Sequence, residues 1–137
     1  MTDKIAFIVK GEPKGKGRPR FAKSGHTYTP KETRDYEERI RTEYLKLYYG
    51  IKFEKGIPLK MSIFAEFAVP KSDSKRLREK KLRNELLPTK KPDADNIVKV
   101  VADALNGLAY HDDTQITDIR IVKRYGANPH ISVFVER

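Results

Sequence analysis

Leu59, Met61, Ile63, Ala65, Phe67 and Val69 alternate along the chain with Lys60, Ser62, Phe64, Glu66 and Ala68. A period of two held over this length predicts a strand with one strongly apolar face. Pro70 closes it, since proline donates nothing to a strand ladder. A strand of this kind commits the chain to a sheet whose apolar face is covered, and the remaining segments supply the other strands and the helices.

Ile5 to Lys10 is a second strand of β-branched and aromatic residues, stopped by Gly11-Glu12-Pro13. Thr29-Pro30-Lys31-Glu32 predicts a helix start, with Thr29 as cap, Pro30 at the first helical position and Glu32 completing a capping box. Tyr36, Ile40, Tyr44, Leu47 and Tyr48 follow at helical spacing, and Gly50 ends the run. This stripe is read as core or a subunit contact. Residues 71–88 predict a polar helix capped by Ser72, with Leu77, Leu82, Leu86 and Leu87 as a thin apolar side and Pro88 as its stop. It is either a solvated insertion or a basic flap.

Helical spacing resumes at Asp95: Ile97, Val101, Ala104, Leu105 and Leu108 share a face, and Asn106-Gly107 ends it. Ile116 to Tyr125 and Ile131 to Val135 read as strands joined through Gly126-Ala127-Asn128-Pro129, predicting a terminal hairpin. The expected fold is α/β (α+β), a small mixed sheet with helices packed on it. At 137 residues it is expected to form one domain.

The net charge of +10 is unevenly spread. Residues 14–23 carry five basic side chains and no acid; residues 71–91 carry nine basic and three acidic ones, and the rest of the chain is close to neutral. Two basic segments in a chain of pI near 9.7 predict a polyanion-binding surface, with nucleic acid as the partner. In Lys14-Gly15-Lys16-Gly17-Arg18-Pro19-Arg20-Phe21 the glycines let backbone approach a phosphate while the cations supply charge. Lys14, Lys16, Arg18, Arg20, Lys90 and Lys91 are therefore the expected DNA-binding residues. Phe21 and Tyr28 are placed to stack on a base or to join the core. No stretch approaches the roughly twenty apolar residues of a membrane span, and the apolar run at Ile5–Val9 is too short for a signal peptide. A cytoplasmic location is expected.

Chemistry concentrates in Lys91-Pro92-Asp93-Ala94-Asp95-Asn96-Ile97-Val98-Lys99 and in Asp112-Asp113. Paired carboxylates before a helix suit a hard cation such as Mg²⁺, which takes oxygen ligands and substrate phosphate. Asp113 could complete the set, and Lys99, four residues after Asp95, could steady a carboxylate or offset charge on phosphate. The competing reading makes Asp93 and Asp95 helix caps and Lys99 a partner of Asp95 and Asp103. Asp112 fits a turn or cap role as well as a ligand role. A calcium loop lacks its glycine and terminal glutamate, and a sugar-nucleotide transferase fits neither the size nor the charge. His26, His111 and His130 are dispersed, and no serine or threonine has an evident histidine partner, so a catalytic triad has no support. The chain has no cysteine, which removes disulfides and thiolate metals.

The stretch Lys91 to Lys99, with Asp103-Ala104-Leu105 and Asp112-Asp113-Thr114-Gln115-Ile116, resembles the RusA family of Holliday junction resolvases. Lys16-Gly17-Arg18-Pro19-Arg20-Phe21 and Tyr28-Thr29-Pro30 look like members from phages and prophages of Gram-positive bacteria. The resemblance implies a Mg²⁺-dependent endodeoxyribonuclease, with Mn²⁺ as a substitute, acting as a homodimer on four-way DNA junctions in recombination and repair. It implies metal-ligand or catalytic roles for Asp93, Asp95 and Asp113 and an essential catalytic role for Lys99. The basic segment 71–88 departs from compact members and bears on substrate range. A non-catalytic protein that binds branched DNA and a broader flap or fork nuclease are the alternatives.

Overall fold

The computed structural model describes residues 2–137. The elements run β1 (Lys4–Lys10), β2 (Arg20–Phe21), β3 (Thr27–Tyr28), α1 (Lys31–Tyr48), β4 (Leu59–Ala68), α2 (Lys75–Leu82), α3 (Ala94–Leu105), a 3-10 turn (Asp113–Gln115), β5 (Ile116–Gly126) and β6 (His130–Glu136). Four strands form one mixed sheet in the order β1-β6-β4-β5, and β2 and β3 make a separate short ribbon. The result is the mixed α/β architecture that the patterning predicts.

The alternating strand is β4, and it lies inside the sheet. Leu59, Met61, Ile63, Ala65 and Phe67 are buried on one face, each large one worth about 1.5–3 kcal/mol of removed apolar surface. Ile5, Phe7 and Val9 of β1 and Ile131, Val133 and Val135 of β6 continue that face. Helices α1 and α3 cover it and pack on each other, α1 through Tyr36, Ile40 and Tyr44, α3 through Ile97, Val100, Val101, Ala104 and Leu105. On the opposite face Phe64 meets Phe134 edge-on at 5.9 Å, with the guanidinium groups of Arg120 and Arg124 each 5.7 Å from the Phe64 ring.

The hairpin expected from β5 and β6 does not form. Instead β4 separates them, pairing parallel with β5 and antiparallel with β6. Residues 127–129 carry the chain across the end of β4, where the Glu66 carboxylate accepts a hydrogen bond from the Asn128 N–H at 2.9 Å. The turn signal at Gly126–Pro129 is real, but strand order is decided by the apolar content of β4, which favours burial between neighbours.

Two helix starts also differ from expectation. Helix α1 begins after Pro30, which occupies the cap position without a side-chain bond, so Thr29 lies one residue too early to cap. Ser74, not Ser72, caps α2 by accepting from the Leu77 N–H at 3.2 Å. Helix α2 is also shorter than predicted. Asn84 adopts φ 63°, and the N–H groups of Glu85 and Asn84 return to the carbonyls of Lys80 and Lys81, ending the helix well before Pro88.

Candidate active site at the start of α3

Asp93 holds the N-cap position of α3 in extended conformation, φ −67° and ψ 152°, yet its carboxylate accepts no hydrogen bond from the helix. Asp95 follows in the first turn. Both side chains are exposed and, among the described residues, neither hydrogen-bonds nor ion-pairs. The capping alternative for Asp93 therefore fails. Lys99 is exposed one turn further on and is equally unpaired among the described residues, so it is no partner of Asp95 or Asp103.

The second acidic pair behaves differently. Asp112 does cap, accepting from the Thr114 N–H at 3.2 Å, while Gln115 reaches back to complete a capping box. Gln115 is buried. Its Oε1 accepts from the N–H groups of His111 and Asp112 at 3.0 and 3.2 Å. Its Nε2 donates to the carbonyls of Glu54 and Ile57 at 2.9 and 3.1 Å. These bonds anchor the turn that presents Asp113. The Asp-x-x-Gln spacing carried this capping signal, and sequence reasoning gave Gln115 no role.

Desolvation raises the pKa of the Asp113 carboxyl above its ordinary range, and the neighbouring Asp112 and Asp103 add to the rise. The hydrogen bond from the Thr114 backbone holds Asp112 below that range, helped by Asp113. Beneath the site Tyr110 is buried and donates to the Ala102 carbonyl at 2.7 Å. Among the described residues no three acidic or histidine side chains converge closely enough to form a ready-made metal cluster. Asp93 and Asp95 are thus exposed carboxylates at the α3 start, and Asp113 is a separate, half-buried one on the turn before β5.

The basic loop lies against the α3 start beside Asp93. Pro13 to Arg20 and Lys91 to Asp93, with Asn96, line a polar groove of about 930 Å³. Lys14, Arg18, Arg20 and Lys91 are exposed there, but Lys16 is not. Its Nζ lies 3.1 Å from Glu37 and 3.2 Å from Asp103, with 17% of the side chain accessible. Burial works against its charge, but the two carboxylates outweigh it and hold the ammonium pKa above its usual value. The expected DNA contact at Lys16 is therefore already occupied by protein acids, and Asp103 pairs with Lys16.

The glycines of this loop serve close packing on the protein itself. A Cβ at Gly15 would lie 2.9 Å from the Cβ atoms of Asn96 and Pro92, and one at Gly17 would lie 2.8 Å from Thr33 Oγ1. Lys90 sits apart, its Nζ 5.7 Å from the Phe67 ring and 6.0 Å from that of Tyr125. Phe21 and Tyr28, on the short ribbon, are exposed, which excludes them from the core.

The mixed sheet thus sets an acidic helix start beside a basic groove. The chain belongs to the RusA family of endodeoxyribonucleases: the family model described as Endodeoxyribonuclease RusA matches residues 10–136. Among its relatives is the uncharacterized protein YqaN of Bacillus subtilis (strain 168), 34% identical over 143 residues, covering 97% of this chain and 96% of that one. No helix among the described residues is long and apolar enough to cross a membrane.

Proposed function

We propose that this chain is a divalent-metal-dependent endodeoxyribonuclease that resolves four-way DNA junctions by paired nicks, acting as a homodimer in cytoplasmic recombination and repair. The carrying observation is the unspent carboxylate of Asp93, a cap residue that does not cap, beside a groove walled by Lys14, Arg18 and Arg20. A purely structural aspartate at that position would give its oxygens to the helix N–H groups.

The donor chemistry of the site fits Mg²⁺ or Mn²⁺. Asp93, Asp95 and Asp113 offer carboxylate oxygens, and the chain has no cysteine. One or two carboxylates with substrate phosphate suffice for Mg²⁺, so a preformed three-carboxylate cluster is not required. When bound, the ion would supply a more acidic water and positive charge opposite the phosphate.

The remaining chemistry falls to the chain. The unpaired ammonium of Lys99 is available to stabilise charge developing on a phosphate oxygen. Lys14, Arg18, Arg20 and Lys91 hold the flanking backbone and set its register without reading sequence. A four-way junction is close to two-fold symmetric, so two copies related by a two-fold axis match the need for paired nicks.

The test is nicking of a labelled four-way junction in Mg²⁺ or EDTA by wild type and Asp93→Asn. Symmetric Mg²⁺-dependent nicks, absent in the variant while junction binding and melting temperature persist, are the expected result. Binding without cleavage in either Mg²⁺ or Mn²⁺ would move the chain to a non-catalytic junction binder. Faster cleavage of flaps or forks in competition would broaden the substrate class.

A further inference from the structure

We propose that Lys16, Glu37 and Asp103 form a positioning clamp that holds the basic loop in register with the acidic start of α3, and that Lys16 itself makes no DNA contact. The proposal rests on the nuclease reading above for its kinetic consequence, and on the structure alone for its mechanical one.

Lys16 is held at both ends. Its backbone N–H donates to the Asn96 carbonyl at 2.9 Å, one residue beyond Asp95. Its ammonium reaches Asp103 at 3.2 Å, seven residues further along the same helix. At about 1.5 Å rise per residue these anchors lie roughly 10 Å apart along α3. The extended lysine therefore lies along two turns of the helix and fixes both the position and the direction of the loop.

The other helix closes the clamp. Glu37 of α1 takes the same ammonium at 3.1 Å, and Thr33, one turn earlier, accepts from the Gly17 N–H at 3.0 Å. Asn96 and Pro92 leave no room for a Cβ at Gly15. Glu37 is 8% exposed and Thr33 4%, so these polar side chains are buried under the loop. Two of the three ammonium donors of Lys16 meet protein carboxylates, whereas Lys14, Arg18 and Arg20 stay exposed on the groove. Position 16 points inward to set register, and 14, 18 and 20 point outward to bind phosphate.

Charge counting and positioning give opposite expectations. Glu37→Gln removes a negative charge and loosens Lys16, which on charge alone would tighten DNA binding. A clamp instead predicts slower cleavage at nearly unchanged binding, because the cations remain while their alignment with Asp93 and Asp95 is lost. The variant combining Lys16→Met, Glu37→Gln and Asp103→Asn leaves no orphaned charge, and so keeps the experiment valid if single variants unfold.

Two measurements are made on wild type, this triple variant and Lys16→Arg. Amide hydrogen exchange at Lys16 and Gly17 is expected to quicken by about tenfold or more in the triple variant while β4 amides stay protected. Junction nicking by the triple variant is expected to lose about tenfold in kcat with KM within about twofold, whereas Lys16→Arg is expected to retain most of the wild-type rate. Unchanged exchange at both amides overturns the clamp. So does a rise in KM alone with a salt dependence reduced by about one phosphate, which would make Lys16 a DNA contact. If wild type nicks no branched DNA the nuclease reading falls, and the exchange experiment still decides the clamp.

Discussion

Replacing Gln115 by alanine tests whether the Asp113 turn is held from beneath. The substitution removes a buried side chain that makes four hydrogen bonds, two accepted at 3.0 and 3.2 Å and two donated at 2.9 and 3.1 Å. Each such bond contributes about 0.5–1.5 kcal/mol net, and orphaned buried partners push toward the upper end. Because two of the bonds share one acceptor oxygen, the expected loss is about 2–4 kcal/mol. Unfolding entropy near 2.1 cal/mol/K per residue turns that into a fall in Tm of roughly 7–14 °C for a chain of this size. Calorimetry measures it directly. At a temperature where the variant remains folded, junction nicking should also fall, since Asp113 loses its support, while DNA affinity should hold. A Tm within about 2 °C of wild type would refute the argument and demote the Gln115 bonds to surface decoration.

Gly15→Ala should push the basic loop off Pro92 and Asn96, costing about 1–3 kcal/mol as an overpacked contact and slowing nicking; a melting curve superimposing on wild type would contradict this. Phe21→Ala should weaken binding to junctions with unpaired bases by roughly five- to hundredfold if the exposed ring stacks, with no change in salt slope because no charge is lost. Equal affinities would remove Phe21 from the interface. Alkaline stability should fall steeply. Burial pushes the phenols of Tyr36 and Tyr44 up to about 12, so their contribution is complete below the unfolded value near 10 and is lost as pH rises from there to about 12. Lys16, also raised in the fold, acts in the same direction above its ordinary value. Phenolate absorbance and circular dichroism should report ionisation of these tyrosines together with unfolding, and ionisation in a still-folded chain would contradict the burial argument.

What the sequence disclosed was mostly local periodicity. The alternation from Leu59, the stripe from Tyr36 to Tyr48 and the face from Ile97 to Leu105 each predict an element that the structure contains. Failures began where partners lie far apart in the chain. Nothing near Gly126–Pro129 says that β4 comes between β5 and β6, because strand order is settled by competition among whole strands. Cap positions slipped at Thr29, where Pro30 takes the cap position without a side-chain bond, and at Ser72, where Ser74 two residues on is an equally good cap and is the one used. Lys16 counted as surface charge because the seam between α1 and α3 that accepts it exists only after folding. The acidic site shows both outcomes. Its residues were legible as a pattern, but only the backbone distinguishes Asp112, which caps, from Asp93, which does not.

The strand order carries a consequence for how the molecule is made. β6 follows every other strand in the chain, yet it fills the place between β1 and β4. Until it emerges, β1 shares no backbone ladder with the β4–β5 pair, and the two parts of the sheet are joined only through helices and loops. Closing that gap demands contacts of very long sequence separation, the slow kind in folding. A growing chain on the ribosome therefore holds an unfinished platform under α1 and α3. On the proposed function, the chain could cut DNA only after its final strand is in place, so synthesis itself delays the birth of an active nuclease.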